Sequence, residues 1–306
     1  MTDLDPLALQ SWTVGSATVT AVVEAYTPGI PAGFLLPEAT ADDIKHTDWL
    51  GDDQAGPDGS IAMSVQAFLL TMPGFTALVD PCVGNGKTRA LPFWNLLDVP
   101  WLDRLRAAGK EPGDIDLVVH THLHADHVGW DTHLDGGAWV PTFTNARHVY
   151  AGEELEYWRA HADEMAGEAY TDSVAPIVDA GLADIVEVDA ELGHGLRFIS
   201  TPGHTPGHVS LEITDDDDVF VVSGDLWHHP AQAAHPEWQE IADTDPVVSR
   251  ATREAFLDAH ALAGTRIAGT HFPSRPVGRV VAHAGRWKFE PEPGASVYTD
   301  DSDGAA

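Results

Sequence analysis

Basic residues are scarce in this sequence. Only 16 lysines and arginines stand against 48 aspartates and glutamates, and the formal net charge is −32. Nucleic acids and anionic membrane surfaces would repel such a chain, so the sequence predicts neither as a partner. The simplest interpretation of the excess is a solvated acidic surface that keeps the protein soluble, and adaptation to high salt is an alternative.

Cysteine and long apolar runs are also nearly absent. Cys82 is the one cysteine of the chain, so no intrachain disulfide can form. A nucleophilic cysteine needs an activating base, and none is evident, so we interpret Cys82 as a partly buried spectator. No run of about 18 apolar residues predicts a transmembrane helix, and the N-terminal segment MTDLDPLALQSW lacks the features of a signal peptide. We therefore expect a soluble, cytoplasmic protein.

Many short elements are predicted, because the chain carries 28 glycines and 21 prolines. Strand patterns precede, interleave with and follow the helical ones, which indicates two β-sheets packed together with helices outside. Strands are predicted at 11–14, 17–23, 61–70, 75–79, 115–119, 147–150, 185–188, 197–200, 209–213, 219–223, 266–268, 279–282 and 287–289, and helices at 101–108, 153–162, 174–180 and 247–263. We expect one domain over 1–306, with a long loop containing short helical turns at 27–60 and a loose tail at 292–306.

A dense group of metal-ligating residue types lies near the middle of the chain. Residues 122–127 read HLHADH and contain His122, His124, Asp126 and His127. The apolar stretch 117–119 precedes them, so the group lies where a buried strand ends. Residues two apart on an extended chain point the same way, and the last two follow a turn and can face a second point. One segment can therefore supply ligands to two adjacent metals.

Three further motifs each follow a predicted strand. TPGHTPGH at 201–208 fixes His204 in a tight loop, and we expect His208 to be a buried hydrogen-bonding residue behind it. SGD at 223–225 ends in Asp225, whose carboxylate can bridge two cations, and GTH at 269–271 ends in His271. The last two motifs are weak signals on their own.

Taken in order, THLHADH, TPGHTPGH, SGD and GTH resemble the motif series of the metallo-β-lactamase superfamily over nearly the whole chain. The resemblance implies an α/β (α+β) αββα sandwich, the metallo-β-lactamase fold. It also implies that one metal takes His122, His124 and His204, and that Asp225 bridges to a second metal. That second metal takes Asp126, His127 and His271. Asp80, after the strand 75–79, matches an aspartate that steadies the metal loop.

The ligand set indicates the chemistry. Imidazole and carboxylate without thiolate suit Zn, Fe, Mn or Co, and two divalent Zn ions are the first expectation. Two metals roughly 3.5–4 Å apart can share a hydroxide that attacks an electrophilic centre, while one of them polarises the substrate oxygen. Asp126 and Asp225 are predicted to be catalytic as well as metal-binding, because Asp126 could orient that hydroxide.

The region after Asp225 resembles the branch that contains methyl parathion hydrolases, which is near the N-acyl homoserine lactonases. Typical lactonases of the latter group carry a tyrosine three residues after the bridging aspartate, where this chain has His228. His228 is therefore a candidate to hydrogen-bond the substrate or to pass a proton to the leaving group. A supporting histidine behind the ligands, or a residue at the pocket entrance, is the equal alternative. Aromatic residues could line an apolar pocket mouth, although they more often serve the core, and those beside the metal loops are the better pocket candidates. They are Phe93, Trp94 and Trp101, and, beside the loops, Trp130 and Trp227.

The leading hypothesis is a dinuclear metal-dependent hydrolase that cleaves an ester, lactone or phosphotriester bond of a small, apolar substrate. A β-lactamase or a hydrolytic dehalogenase on the same fold is an alternative enzyme. A metal-binding, ligand-sensing module without catalysis is the alternative outside enzymes. The family often forms dimers, so a homodimer is one expected assembly, and residues 27–60 could serve as its interface or as a lid.

Overall fold

A computed structural model describes residues 5–162 and 169–297 of the chain. Its first sheet has eight strands in the order β17-β1-β2-β3-β4-β5-β8-β9. These strands are β1 (Gln10–Val14), β2 (Ala17–Pro31), β3 (Ser60–Met72), β4 (Phe75–Val79), β5 (Leu117–Val119), β8 (Arg147–Ala151), β9 (Ala183–Val186) and β17 (Ala295–Ser296). β4, β5, β8 and β9 run parallel to one another, so their carboxyl ends lie at one edge of the sheet.

The second sheet has seven strands in the order β10-β11-β12-β13-β14-β15-β16. They are β10 (Glu191–Gly193), β11 (Leu196–Ser200), β12 (Val209–Asp215), β13 (Asp218–Val222), β14 (Arg266–Ala268), β15 (Val277–His283) and β16 (Arg286–Pro291). β12 is antiparallel to both β11 and β13, and β13 is parallel to β14. β11, β13 and β14 therefore run the same way and end at the same edge.

The hydrophobic core lies between the two sheets. Phe68 and Val119 of the first sheet and Phe198 and Phe220 of the second belong to one cluster of buried side chains. Their neighbours along the strands, such as Leu69, Val118 and Val221, face the other way and are buried beneath the helices, so these strands are covered on both faces. The sandwich holds the metal motifs at one edge, because each of them directly follows one of its strands.

Helices cover the two outer faces of the sandwich. Trp101 and Leu105 pack on the outside of the first sheet, and Phe256 and Leu257 pack on the second. The helices are α1 (Ala32–Leu35), α2 (Ala41–His46), α3 (Trp101–Ala107), α4 (Ala125–Val128), α5 (Gly152–Ala160), α6 (Ala175–Asp179) and α7 (Pro246–Ala263). α7 begins where the Asp245 carboxylate accepts the amides of the first turn, and it ends at Gly264, whose φ is 66°. The arrangement confirms the αββα fold expected from the sequence.

Some boundaries differ from the sequence prediction. β2 continues to Pro31, so the long connection begins later than residue 27, and the expected helical turns within it are α1 and α2. A hairpin, β6 (Thr132–Asp135) and β7 (Ala138–Pro141), was not predicted. Residues 295–296 of the expected loose tail pair with β1, because the antiparallel bonding of Gln10 and Ser11 satisfies an otherwise open edge. Residues 298–306 of that tail lie outside the described residues.

Candidate metal centre

The structure brings all seven metal-ligand candidates together at the edge where the strands end. One group contains His122, His124, His204 and Asp225, and the ligand atoms of its members lie within 4.8 Å of one another. A second group, Asp126, His127 and His271, meets the same condition. The two groups have the membership that the resemblance implied, and all seven side chains are buried or nearly so.

Asp225 lies between the two groups. Its Oδ2 atom is 3.6 Å from Nε2 of His122 and 3.5 Å from Nε2 of His204 in the first group. The same oxygen is 3.2 Å from Nε2 of His127, and Oδ1 is 3.1 Å from Nε2 of His271 in the second group. A carboxylate in this position can give an oxygen to each of two cations.

Several ligand atoms have no hydrogen-bond partner within the described part of the chain. These buried atoms are Nε2 of His122, Nε2 of His127 and Oδ1 of Asp225. A buried polar atom without a partner is costly, and three of them converge on one place. Nitrogen and oxygen donors without thiolate also suit divalent first-row metals. The residues therefore fit a pair of divalent cations.

The pKa values of the ligand histidines shift in different directions, because burial and neighbouring imidazoles lower them and carboxylates raise them. Burial, and then the neighbouring imidazoles, hold the pKa values of His122 and His124 well below their usual range. Burial alone would also lower the pKa of His271, but Asp225 and Asp126 raise it to about 9. The carboxylates likewise raise the pKa of His127 well above its usual range. Bound cations would replace the protons on these two histidines.

Buried partners orient the imidazoles. The Ser64 carbonyl lies 2.8 Å from Nδ1 of His271, and Oδ1 of Asp243 lies 3.0 Å from Nδ1 of His204. An Nδ1–H donated to such a partner leaves Nε2 free to face a metal. Asp243 was not predicted from the sequence, because the residue lies 39 positions from His204 and only the fold brings them together.

Asp80 fastens the first motif, as the resemblance implied. Its carboxylate accepts hydrogen bonds from the amide and the hydroxyl of Thr121 at 2.8 and 2.7 Å, and it lies 3.0 Å from Nδ1 of His127. His208 has the expected supporting position, since its Nε2 accepts the amide of Asp225 at 2.9 Å. Gly224, between the two, has a φ of 58°, and a Cβ there would lie 2.6 Å from the His208 ring. A side chain at this position would displace Asp225.

Glu154, at the start of α5, ties the first two motifs together. Its carboxylate accepts the amides of Leu123 and Gly207 at 3.0 and 3.1 Å and the indole N–H of Trp158 at 2.7 Å. Leu123 belongs to the first motif and Gly207 to the second. No sequence pattern predicts this contact, because an acidic residue in the first turn of a helix is ordinary.

A pocket of about 630 Å³ opens onto the candidate metal centre. Its floor contains Asp126, Asp225 and His271, and its walls are mostly apolar. The apolar walls come from the first half of the chain and from the loop before α7, and they include Ile30, Phe34, Leu35, Met63, Leu91, Phe93, Trp94, Trp158 and Ile241. Such a pocket suits a small ligand with a substantial apolar part.

The aromatic predictions divide into two groups. Phe93 and Trp94 line the pocket, as predicted. Trp101, Trp130 and Trp227 belong instead to the hydrophobic core, the more frequent place for aromatic residues, so the preference for Trp130 and Trp227 as pocket residues was wrong. Trp101 and Trp130 stack in the core with ring centroids 5.4 Å apart, and Trp227 packs edge-on to Phe272 with centroids 4.8 Å apart. Proximity in sequence to a metal loop does not decide which way an indole points, and large aromatic rings bury most area in the core.

His228 lies within the pocket beside Asp225. Its Nε2 is 3.0 Å from Oδ2 of Asp225, and its ring stacks on that of His271 with centroids 5.0 Å apart. Burial lowers the pKa of His228 to about 4, against the opposing effect of Asp225. The imidazole is therefore neutral at physiological pH, and its Nδ1 has no hydrogen-bond partner among the described residues.

A second buried histidine–aspartate cluster lies just outside the metal motif. Oδ1 of Asp131 lies 3.0 Å from Nε2 of His120 and 3.1 Å from Nδ1 of His148, and Oδ2 accepts the Tyr150 hydroxyl at 3.0 Å. All four side chains are buried. His120 and Asp131 flank the first motif on either side, so the cluster closes the loop that carries four of the ligand candidates. We call these four residues the Asp131 clamp.

Cys82 is fully buried, more than the sequence suggested. Burial and the nearby Glu24 carboxyl raise the pKa of its thiol well above the usual range. A protonated, enclosed thiol is a poor nucleophile, which agrees with the interpretation as a spectator. No helix within the described ranges is long and apolar enough to cross a membrane.

Residues 61–271 match the family model described as metallo-beta-lactamase superfamily. N-acyl homoserine lactonase AttM of Rhizobium radiobacter is 31% identical over 174 residues, which cover 51% of this chain and 62% of the relative. N-acyl homoserine lactonase AiiA of Bacillus thuringiensis subsp. kurstaki is 34% identical over 109 residues, covering 36% of this chain and 37% of the relative. The chain therefore spans less than two thirds of the length of these curated relatives.

Solved structures share the fold over a greater length. The crystal structure of the hydrolase AbOPH superposes with a TM-score of 0.79 at 24% identity, covering 94% of this chain and 99% of that one. AidC, described as a dizinc quorum-quenching lactonase in complex with a product, superposes with a TM-score of 0.77 at 20% identity, covering 95% and 100%. At these identities the superpositions establish the shared architecture.

Proposed function

Since the chain belongs to the metallo-β-lactamase superfamily, we propose that it is a dinuclear metal-dependent hydrolase that opens lactones of small, largely apolar substrates and cleaves related ester bonds. The observation that carries the proposal is the apolar pocket whose floor is formed by the candidate ligands Asp126, Asp225 and His271. The N-acyl homoserine lactonases among the relatives support a lactone as the substrate. A single domain carries this function, in our proposal, because one hydrophobic core joins the two sheets.

The proposed metal ligands are the two groups described above. His122, His124 and His204 would hold one divalent cation, Asp126, His127 and His271 would hold the other, and Asp225 would bridge them. Zinc is the proposed metal, because the donor set consists of imidazole and carboxylate. Two such cations would supply an activated water near neutral pH and would polarise the carbonyl of the substrate.

The side chains around the cations have distinct proposed tasks. Asp126 and Asp225 would orient the attacking water, since both carboxylates line the pocket floor. His228 would relay a proton, because its neutral imidazole faces the pocket next to Asp225. The ring would accept the proton that the attacking water releases and then, as the imidazolium, hydrogen-bond the leaving oxygen of the substrate and donate the proton to it. In a lactone that oxygen stays attached to the product, so the proton converts it to a hydroxyl group.

The wall of the pocket is the basis for the proposed substrate class. Ile30, Phe34 and Leu35 come from the segment 27–60, which was predicted to act as a lid or interface. Phe34 is about half exposed at the pocket mouth. This position supports a lid that covers an acyl chain, and a homodimer through the same segment is the alternative. An apolar wall of this size favours substrates with an acyl or aryl group.

The proposal is tested by measuring metals per chain and turnover on one preparation purified without chelator. The substrates are N-acyl homoserine lactones, p-nitrophenyl esters, methyl parathion and nitrocefin. We expect about two metals per chain, the highest kcat/KM on lactones, and loss of turnover on chelation with recovery on adding zinc. Failure to bind metal after reconstitution would refute the dinuclear site. A clear preference for methyl parathion or nitrocefin would refute the substrate class while leaving the metal centre intact.

A further inference from the structure

Glu240 is a buried carboxylate at the pocket that is outside the ligand set. It lies in the loop before α7, it lines the same pocket as the candidate ligands, and it is 4% exposed. Asp126 and Asp225 are the other carboxylates among the described residues that line the pocket, and both are ligand candidates. The sequence analysis did not select Glu240, because an isolated glutamate in a polar loop carries no motif.

The hydrogen bonds of Glu240 leave part of its carboxylate unused. Oε2 accepts the Ala242 amide at 2.5 Å, and the Glu240 amide donates to Asp243. Oε1 takes no hydrogen bond from any residue in the ranges 5–162 and 169–297. An acceptor that lines a pocket loses its contact with water when a ligand fills the pocket, and it then costs free energy unless the ligand supplies a donor.

Glu240 lies near the two histidines at the deep end of the pocket. Its Oε2 atom is 4.0 Å from Nε2 of His228 and 3.8 Å from Nδ1 of His204. His228 in turn touches Asp225. The Glu240 carboxylate therefore lies at the end of the pocket that contains the ligand candidates, where a substrate carbonyl would be attacked.

We propose that Glu240 is a specificity-determining residue that accepts a hydrogen bond from an N–H group next to the scissile carbonyl, as in an N-acylamino lactone. The proposal rests on the proposed function, because it assigns the part of the lactone substrate that this side chain recognises. An amide nitrogen on the carbon beside the carbonyl is near enough to the reacting centre to reach Glu240. The apolar wall then accommodates the acyl chain.

The physical basis for selectivity is the cost of an unpaired buried carboxylate. A substrate without the N–H would exclude water from Glu240 and offer no donor in return. Sites built around such a hydrogen bond discriminate strongly against analogues that lack it. Burial raises the pKa of Glu240 to about 7, against the opposing effect of His204, and either form of the carboxyl group keeps an oxygen that can accept the substrate N–H.

The test compares two lactones with the same ring: N-hexanoyl homoserine lactone and α-hexyl-γ-butyrolactone, which has no N–H. The variant is Glu240→Gln, whose carbonyl can keep the bond to the Ala242 amide and so turn its NH₂ group toward the pocket. We expect kcat/KM for the N-acyl substrate to fall about 10- to 100-fold, mainly through KM, because hydrogen bonds to charged groups are strong. The value for the alkyl lactone should change less than about 3-fold.

Two controls separate recognition from structural damage. Glu237→Gln removes a carboxylate from the same loop that pairs with His235 and Arg286 away from the pocket, and both substrates should be unaffected. Metals per chain in Glu240→Gln should equal the wild-type number. If that variant does not fold, Glu240→Asp is measured in its place, and the shorter carboxylate should also penalise the N-acyl substrate selectively.

The outcomes distinguish this inference from the proposed function. Wild-type turnover of both lactones, with equal loss or no loss on both in the Glu240 variant, overturns the role of Glu240 and leaves the hydrolase standing. Wild-type failure on both lactones overturns the proposed function and this inference with it. A selective loss on the N-acyl substrate supports both.

Discussion

Two buried histidine–aspartate clusters lie next to each other in this protein, and they differ in how many of their polar atoms have no hydrogen-bond partner. In the candidate metal centre, Nε2 of His122, Nε2 of His127 and Oδ1 of Asp225 have no hydrogen-bond partner within the described residues. In the Asp131 clamp, both carboxylate oxygens are bonded, one to His120 and His148 and the other to Tyr150, and Nε2 of His148 is the one atom without a partner among the described residues. The same residue types therefore leave several converging ligand atoms without partners in one place and bond both oxygens of the central carboxylate in the other.

The pKa shifts of the two clusters also differ. In the clamp, burial would raise the pKa of Asp131, but His120 and His148 together hold it well below its usual range. One carboxylate thus serves two imidazoles at close range. The metal centre has more imidazoles than its carboxylates can pair, and the pKa values of His122 and His124 fall for that reason as well as from burial. Surplus ligands, rather than the presence of His and Asp, distinguish a metal site from a structural network.

The largest effect is expected from His124→Ala. Loss of one ligand should lower metal content and reduce kcat/KM by about 10³-fold or more, since metal chemistry supplies several kcal/mol of transition-state stabilisation. The stability of the chelator-treated protein should change little, because this cluster depends on metals to satisfy its atoms. His133→Ala, at an exposed position, is the control and should keep both metals and activity. Full activity with normal metal content in His124→Ala would contradict the assignment.

Asp131→Asn should lower the stability of the protein and leave its metal content unchanged, which is the opposite of His124→Ala. An amide cannot accept from all three partners, and breaking a buried ion pair destabilises a protein by about 3–5 kcal/mol. Urea unfolding in chelator measures the loss, and metal content of the folded variant should stay near the wild-type number. Normal stability together with loss of metal would show that the clamp belongs to the metal site.

The stability that Asp131→Asn loses depends on pH, and the pKa shifts of Asp131 and His120 define where the loss is largest. The lowered pKa of Asp131 gives a stabilisation that is present above the ordinary carboxyl value and is lost as pH falls through the folded value. His120 has a raised pKa, because Asp131 outweighs the effect of burial, so its contribution is present below about pH 6.5 and is lost as pH rises through the folded value. The difference between wild type and Asp131→Asn should therefore be largest between about pH 4 and pH 6.5.

His228→Ala tests a histidine that touches the metal centre without belonging to the proposed ligand set. We expect kcat to fall about 10²-fold with metal content unchanged, since general acid catalysis contributes at least that much. Free imidazole should restore part of the activity, which a merely structural role would not allow. Loss of a metal ion in this variant would instead make His228 a ligand.

The smallest effect is the release of protons when metal binds. Carboxylates raise the pKa values of His127 and His271, that of His271 to about 9, against the effect of burial. Metal binding should therefore release protons at pH 7 and fewer above pH 9. Calorimetric titration in buffers of different ionisation enthalpy measures the number, and Asp131→Asn should release as many as the wild type. No proton release would contradict the raised pKa values.

The sequence predicted the ligand set because the relevant signals are local. Each of the four motifs directly follows an apolar strand, and strand ends of the same direction meet at one edge of a sheet. It also predicted Asp80 and His208 as supporting residues. It missed Asp243, Glu154 and Glu240, because each is an ordinary acidic residue whose partner is distant in the chain.

Side-chain direction was the other limit of prediction. Trp130 follows the metal loop directly, yet its indole N–H bonds to Glu24 in the core at 2.6 Å, 106 residues away in the sequence. Phe93 and Trp94 lie far from every metal motif in the sequence and reach the pocket. Apolar residues carry no local mark that separates a core position from a pocket wall, since both bury area against other apolar groups.

The sequence by itself indicated two packed sheets with helices outside and the ligand group from His122 to His127, because strand periodicity and ligand spacing act over a few residues. Asp225 and His271 became candidates through the resemblance of the whole motif series to a known family. Only the tertiary structure decided which polar groups are left without a partner. That property depends on the atoms contributed by remote segments: Asp131 meets His148 and Tyr150 and is satisfied, whereas Asp225 meets four ligand histidines and retains an open oxygen. The distinction between a structural network and a binding site therefore arises when the two sheets close.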